Sequence, residues 1–199
     1  MNQNIEYYNK NADAFYESTV NTDMSEWQNR FLKHIPAGGR ILDAGCGSGR
    51  DSKAFIKQGY SVVAFDASKE MCQKASELIG QEVWQMKFEE MSFDDEFDGV
   101  WACASLLHVS SEDIKDVFGK IYMALYPNGI FYSSFKYGDG MLQRGKRVFN
   151  DFTEDRIKKS LTEVGFEIIE CDTSFDVRPG REEEKWVNVI AKKINSLPR

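Results

Sequence analysis

The residue types best able to do chemistry crowd into ILDAGCGSGRD, residues 41–51. Gly45, Gly47 and Gly49 alternate with small residues after a short apolar run. Glycine permits positive φ and lets a ligand approach bare backbone. A carboxylate, Asp43, stands at the entrance of that turn. The dinucleotide fingerprint requires G-x-G-x-x-G, yet position 50 is an arginine, and the G-x-x-x-x-G-K-[ST] phosphate loop is absent. Beside a pyrophosphate, Asp43 would add like-charge repulsion. A ligand carrying an ammonium and a sulfonium would instead be attracted.

S-adenosylmethionine carries both cations, and its carboxylate can take backbone N–H groups from the helix start after Gly49. A second acid, Asp66, ends the next apolar run. There a carboxylate can accept both hydroxyls of a ribose, or it can serve the helix that starts just after it. His108 follows the run WACASLLHV, and an unshifted histidine titrates near neutrality, so it is the best candidate base. The alternative is a packed or capping histidine. Tyr7, Tyr8, Phe15 and Tyr16 cluster near the start, either over a site or against the sheet. Arg144, Lys146 and Arg147 gather in QRGKR, and Arg178 and Arg181 in RPGR. They suit an anionic substrate or form solvated loops balanced by Glu182–Glu184. Candidate substrate contacts are therefore Tyr8, Tyr16, Arg144, Arg147, Arg178 and Arg181.

The elements that must position these groups alternate. Ile5, Tyr8, Ala12 and Phe15, then Met24, Trp27, Phe31 and Ile35, have helical spacing before PAGG breaks it. Strands are expected at RILDA, YSVVAFD, EVWQM, FDGVWACA and IFYSSF, with helices between them. One helix starts at Ser68 and stops at Gly80, one carries a Ser110/Asp113 capping box, and one runs from Thr153 to Gly165. Residues between IFYSSF and that last helix read as irregular. FEIIECD and WVNVIAKK have no helix between them and should pair antiparallel. Strand–helix alternation implies a mainly parallel sheet covered on both faces, with ligands beyond the carboxyl ends of the strands.

The chain has 199 residues, 42% of them hydrophobic, and a net charge of −7, which suits one globular domain and argues against general nucleic-acid binding. The polar start has no signal-peptide core, and no apolar run approaches the roughly 20 residues that span a bilayer. Cys46, Cys72, Cys103 and Cys171 form no CxxC pair and read as free thiols in a reducing cytoplasm. Only two histidines exist, so no metal site is expected.

Together, ILDAGCGSG, VVAFD and FDGVWACASLLHV resemble the class I S-adenosylmethionine-dependent methyltransferase family, over about residues 5 to 193. The small layout is similar to that of the tellurite-resistance methyltransferases. The resemblance implies an α/β Rossmann-like three-layer sandwich, with a seven-stranded, mostly parallel sheet whose last strand is antiparallel, plus extra N-terminal helices. It implies one domain over 1–199, with a helical cap at 1–36 and the core at 37–193. It implies that Asp43, Ala44, Gly45, Cys46, Gly47 and Gly49 hold the methionine part, that Asp66 holds the ribose, and that Ala67 and Cys103 line the pocket. Many relatives place an aspartate at the adenine edge where this chain has Lys87, so Glu89 or the backbone of Phe88 must serve. The Asn/Asp-Pro-Pro-Tyr pattern of base methylases is absent. The expected partner is a small, possibly anionic methyl acceptor, with no membrane, and the chain is expected as a monomer or homodimer. The rivals are a non-catalytic S-adenosylmethionine-binding module, an RNA or protein methyltransferase, and a nicotinamide-dependent dehydrogenase.

Overall fold

A computed structural model describes residues 3–194. The five apolar runs fold as β1 (Arg40–Ala44), β2 (Ser61–Asp66), β3 (Trp84–Gln85), β4 (Phe97–Ala102) and β5 (Leu125–Lys136). With β8 (Phe166–Phe175) and β9 (Lys185–Lys193) they form a seven-stranded sheet in the order β3-β2-β1-β4-β5-β9-β8. β1 runs parallel to β2 and β4, β2 to β3, and β4 to β5, whereas β9 is antiparallel to both β5 and β8. This is the expected doubly covered fold, antiparallel hairpin included.

Strand side chains alternate between faces with a period of two. Ile41, Val62, Ala64, Trp101, Ile130 and Tyr132 bury against α3 (Ser25–Leu32), α4 (Arg50–Lys57) and α5 (Lys69–Ile79). Leu42, Val100, Ala102, Phe131 and Val189 bury against α6 (Ile114–Ala124) and α7 (Glu154–Val164). Ser68 caps α5 by accepting from Met71 N, and Thr153 caps α7 by accepting from Arg156 N. Asp113 N does donate to Ser110 Oγ, but a turn intervenes and α6 begins only at Ile114.

Three local features differ from the sequence expectation. The first periodic segment is two helices, α1 (Gln3–Lys10) and α2 (Ala12–Thr19). The Asn11 side chain donates to Tyr7 O at 2.7 Å, so a local side-chain bond competes with helix continuation. Tyr126–Gly129 is an insertion in β5: Phe97 pairs with Leu125, but Gly99 pairs with Ile130, and Asn128 takes φ 69°. The stretch read as irregular contains a two-stranded hairpin, β6 (Gly140–Arg144) and β7 (Arg147–Asp151), turning at Gly145.

Candidate cofactor and acceptor site

The carboxyl ends of β1, β2, β4 and β5, roofed by the N-terminal helices, enclose one continuous cavity of about 610 Å³. At one end lies the glycine turn. Gly45 sits at φ 76°, and a Cβ there would lie 2.5 Å from Ser105 Cβ. The Ser105 hydroxyl in turn donates to Ala44 O at 2.7 Å, which closes the loop after β4 onto the turn. Gly49 takes φ 78° just before α4 and has no room for a Cβ against Ala75, so it packs helices and does not line the cavity. Ala44 is likewise fully buried beneath the turn. Asp43, Gly45, Cys46 and Gly47 do line it.

Asp43 is 2% exposed, and its carboxylate accepts Ser52 Oγ at 2.6 Å. Burial, then the neighbouring Asp51 charge, pushes its acid up to about 7. Such a desolvated carboxylate is well matched to a cationic ligand. Asp51 is buried too, and burial works against its charge. Arg50, Trp101 Nε1 at 3.0 Å and Gln28 Nε2 at 2.6 Å outweigh that and hold its acid below the usual carboxylate range. Arg50 also reaches Thr22 Oγ1 at 2.6 Å and Cys103 Sγ at 3.5 Å. This network was not foreseen. Its signal was a charged pair, Arg50-Asp51, at the start of a helix that buries Asp51 beside Ser52 and Phe55.

Asp66 closes the other side of the turn: its two oxygens accept Gly47 N at 3.0 Å and Ser68 N at 2.8 Å. A carboxylate offers about four lone-pair sites, so each oxygen keeps one for a diol. Burial raises its acid against those backbone bonds. Ala67, Lys87, Phe88 and Glu89 continue the wall, with Phe88 edge-on to Phe65 at 5.3 Å. These residues fit a nucleoside with a cationic amino-acid tail: buried acids, a side-chain-free approach and an aromatic edge.

The far end is basic and aromatic. Arg147, Arg178, Arg181 and Lys136 line it, together with Tyr8, Phe149 and Trp186. Arg178 is held by Asp176 at 2.5 Å and Arg181 by Glu184 at 3.5 Å, while Lys136 is paired with Glu184. Arg147 has no carboxylate partner among the described residues. Its guanidinium lies 4.7 Å from the Tyr7 ring centre and 5.0 Å from that of Phe149. Its Nη1 donates to Tyr8 Oη at 3.1 Å.

His108 Nε2 meets Tyr8 Oη at 2.8 Å, and Nδ1 meets Val148 O at 3.0 Å. A carbonyl only accepts, so Nδ1 carries the proton and Nε2 accepts from Tyr8. Burial, opposed by the Val148 bond and helped by Arg147, lowers His108 to about 4. Two expected contacts lie elsewhere. Tyr16 faces Lys74 on the outer side of α2, 5.4 Å from its ammonium, because it sits round the helix from Phe15 and Thr19. Arg144 does not reach the cavity, since Asp151 across the hairpin holds it. Lys136 and Asn188 were not expected there. Asn188, a buried amide in mid-strand that accepts from Tyr132 Oη at 2.9 Å, was the visible signal.

A methyltransferase-domain family model matches residues 41–129, the span from β1 to the β5 insertion. The chain is similar to the candidate methyltransferase YqeM of Bacillus subtilis, 29% identical over 136 residues that cover 63% of this chain and 55% of YqeM. Among solved structures it superposes on 1,6-didemethyltoxoflavin-N1-methyltransferase of Burkholderia thailandensis, which holds 1,6-didemethyltoxoflavin and S-adenosylhomocysteine. The TM-score is 0.79 at 22% identity, over 96% of this chain and 85% of that one. These matches support the resemblance to the class I S-adenosylmethionine-dependent methyltransferase family. The chain is also 26% identical to the S-adenosyl-L-methionine-dependent Diels-Alderase IliD of Neonectria, over 90% of this chain and 79% of IliD. The family's methyl donor is S-adenosylmethionine, which leaves as S-adenosylhomocysteine. Among the described residues of this methyltransferase, no helix is long and apolar enough to cross a membrane.

Proposed function

We propose that this methyltransferase methylates a small anionic molecule. The observation that carries the reading is the charge division of one cavity: unneutralised acid at Asp43 and Asp66, and an uncompensated cation, Arg147, at the other end. S-adenosylmethionine supplies an activated methyl group on a sulfonium. Asp43 and the backbone of Gly45–Gly47 hold the amino-acid tail, Asp66 the ribose, and Ala67, Phe88 and Glu89 the adenine. Arg147, with Arg178 and Arg181 behind it, orients the acceptor. Alignment by such contacts contributes on the order of 7–11 kcal/mol to a displacement of this kind. Tyr8 and His108 stand beside Arg147 and handle a proton where the acceptor brings one. The four thiols, free of disulfides, suit a reducing cytoplasm.

The first test is calorimetric titration with S-adenosylhomocysteine, followed by transfer of labelled methyl groups to a panel of small acids, amines and neutral analogues. One-to-one binding with labelled acids supports the reading. Transfer confined to amines or neutral analogues removes the anionic acceptor. The likeness to IliD favours a second reading, in which the cofactor is held and the methyl group stays on it. Tight binding with no S-adenosylhomocysteine formed from any acceptor selects that one.

A further inference from the structure

The cations that line the cavity are not equivalent. Arg50, Lys136, Arg178 and Arg181 are each tied to a carboxylate, whereas Arg147 is surrounded by Tyr7, Tyr8 and Phe149 and donates only to a phenol oxygen. A guanidinium held by ring faces has its planar donor fork available for an oxyanion. The His108 ring, 5.4 Å from that of Tyr8 and 5.0 Å from that of Phe149, joins them in one contiguous aromatic wall of the cavity beside Arg147.

We propose that Arg147 couples acceptor binding to proton removal: a planar ring bearing a carboxylate neutralises the guanidinium, and His108 becomes the stronger base only while that acceptor is bound. The proposal rests on the methyl-transfer reading of this cavity. Its geometric support is the chain Arg147 Nη1 to Tyr8 Oη to His108 Nε2, at 3.1 and 2.8 Å. Tyr8 lies between the two ends, within electrostatic reach of both Asp66 and Arg178. Its oxygen accepts from Arg147 and donates to His108, which leaves one lone pair for an acceptor O–H or N–H.

The groups facing His108 are few. α1 brings the Tyr8 hydroxyl, β7 brings Arg147 and the Val148 carbonyl, and Lys136 of β5 is turned to Glu184 and lies 4.7 Å from the Trp186 ring. Arg147 is the one charge among the described residues that acts on His108, and it opposes protonation. Removing its effect strengthens the imidazole. In the transfer, the acceptor's O–H or N–H bond breaks as its bond to the methyl carbon forms. The sulfonium donor's carbon–sulfur bond breaks with its electron pair passing to sulfur. Tyr8 Oη takes the acceptor's proton and passes its own to His108 Nε2.

Benzoate, a carboxylate on a planar ring with nothing to methylate, is the probe. The full chain, saturated with S-adenosylhomocysteine, is titrated with benzoate by calorimetry. The imidazole nitrogen signals are then followed by NMR from pH 3.5 to 7, and His34→Gln leaves His108 as the single histidine. Saturable binding is expected, with the His108 midpoint raised by about one pH unit. Arg147→Gln should weaken benzoate about tenfold, the loss of roughly 1.4 kcal/mol, and cancel the rise. Arg147→Lys should restore part of both, which a merely structural role would not. The amide spectrum of each variant reports its fold. Absence of benzoate binding in cofactor-bound protein overturns the proposal and leaves the cofactor reading standing. An unmoved His108, or the same rise in Arg147→Gln, also overturns it. Equal affinity for cyclohexanecarboxylate removes the planar ring. Failure of S-adenosylhomocysteine itself to bind strikes the methyl-transfer reading first and takes the proposal with it.

Discussion

The glycine-turn end and the basic end of the cavity solve opposite electrostatic problems. At the first, Asp43 and Asp66 are buried, their acids are pushed up, and the turn stands open at backbone level. At the second, cations are brought in by a hairpin and a loop, and all but Arg147 are balanced by local carboxylates. The first end is built from β1, β2 and the helices they feed, so its geometry follows from the sheet. The second depends on side chains at the tips of later elements. On the proposed function, this division sorts a cationic donor from an anionic acceptor before either makes a specific contact.

The glycine-turn end is most vulnerable at Gly45. Gly45→Ala puts a Cβ against Ser105 at φ 76°, where a left-handed conformation costs roughly 1–2 kcal/mol before the clash is counted. Titration should find no S-adenosylhomocysteine binding, and the melting temperature should fall by about 5 °C. Retained affinity would mean that the turn yields. Next, Asp66→Ala removes the proposed ribose acceptor and two turn bonds. Losing charge-assisted hydrogen bonds of about 1.5–3 kcal/mol should weaken cofactor binding on the order of 100-fold in a chain that still folds. Unchanged affinity would take Asp66 out of the site.

The pH dependence is a finer probe. Asp43 ionises around 7, and only its ionised form attracts a cation. Affinity for S-adenosylhomocysteine should therefore rise about tenfold from pH 6 to pH 8, and the rise should disappear in Asp43→Asn. A flat profile in the unsubstituted protein would place the ammonium elsewhere. The smallest effect is expected at Arg144. Arg144→Gln breaks a pair with Asp151 outside the cavity and should leave acid-acceptor affinity within about twofold, because exposed ion pairs contribute roughly 0–1 kcal/mol. A loss as large as that of Arg147→Gln would erase the distinction between the two arginines.

The same division explains what the sequence disclosed. The glycine end was legible because its residues are consecutive and their types are forced: a strand ending at Asp43, a side-chain-free turn, and an acid ending β2. The sheet was legible too, since the apolar runs of the central strands and the caps at Ser68 and Thr153 are local signals. The β6–β7 hairpin was not. It turns on Gly145-Lys146, which suits a two-residue hairpin, but it exposes Met141 and Leu142 in succession and so lacks clean alternation. Its course decides that Arg147 enters the cavity and Arg144 does not. The break at Asn11 was hidden for a related reason: one side-chain bond overrode a helical period that continues through it. Asp51 escaped notice because its partners, Gln28 and Trp101, are brought together only by the fold.

The placement of β9 has a consequence for the order of assembly. β8 precedes β9 in the chain, yet β9 lies between β5 and β8 in the sheet. As the chain leaves the ribosome, β1, β2 and β4 can pair while β5 still has an open edge. β8 has no neighbour to join until Lys185–Lys193 has emerged. Long-range pairings of this kind are slow to form. The donor end of the cavity is thus framed early, and the basic end, which borrows Trp186 and Asn188 from β9, is framed last. A nascent chain stalled before residue 185 would carry half a pocket and an unpaired β5 edge bearing Ile130, Tyr132 and Phe135. That half-built sheet is a natural substrate for chaperones and for misassociation.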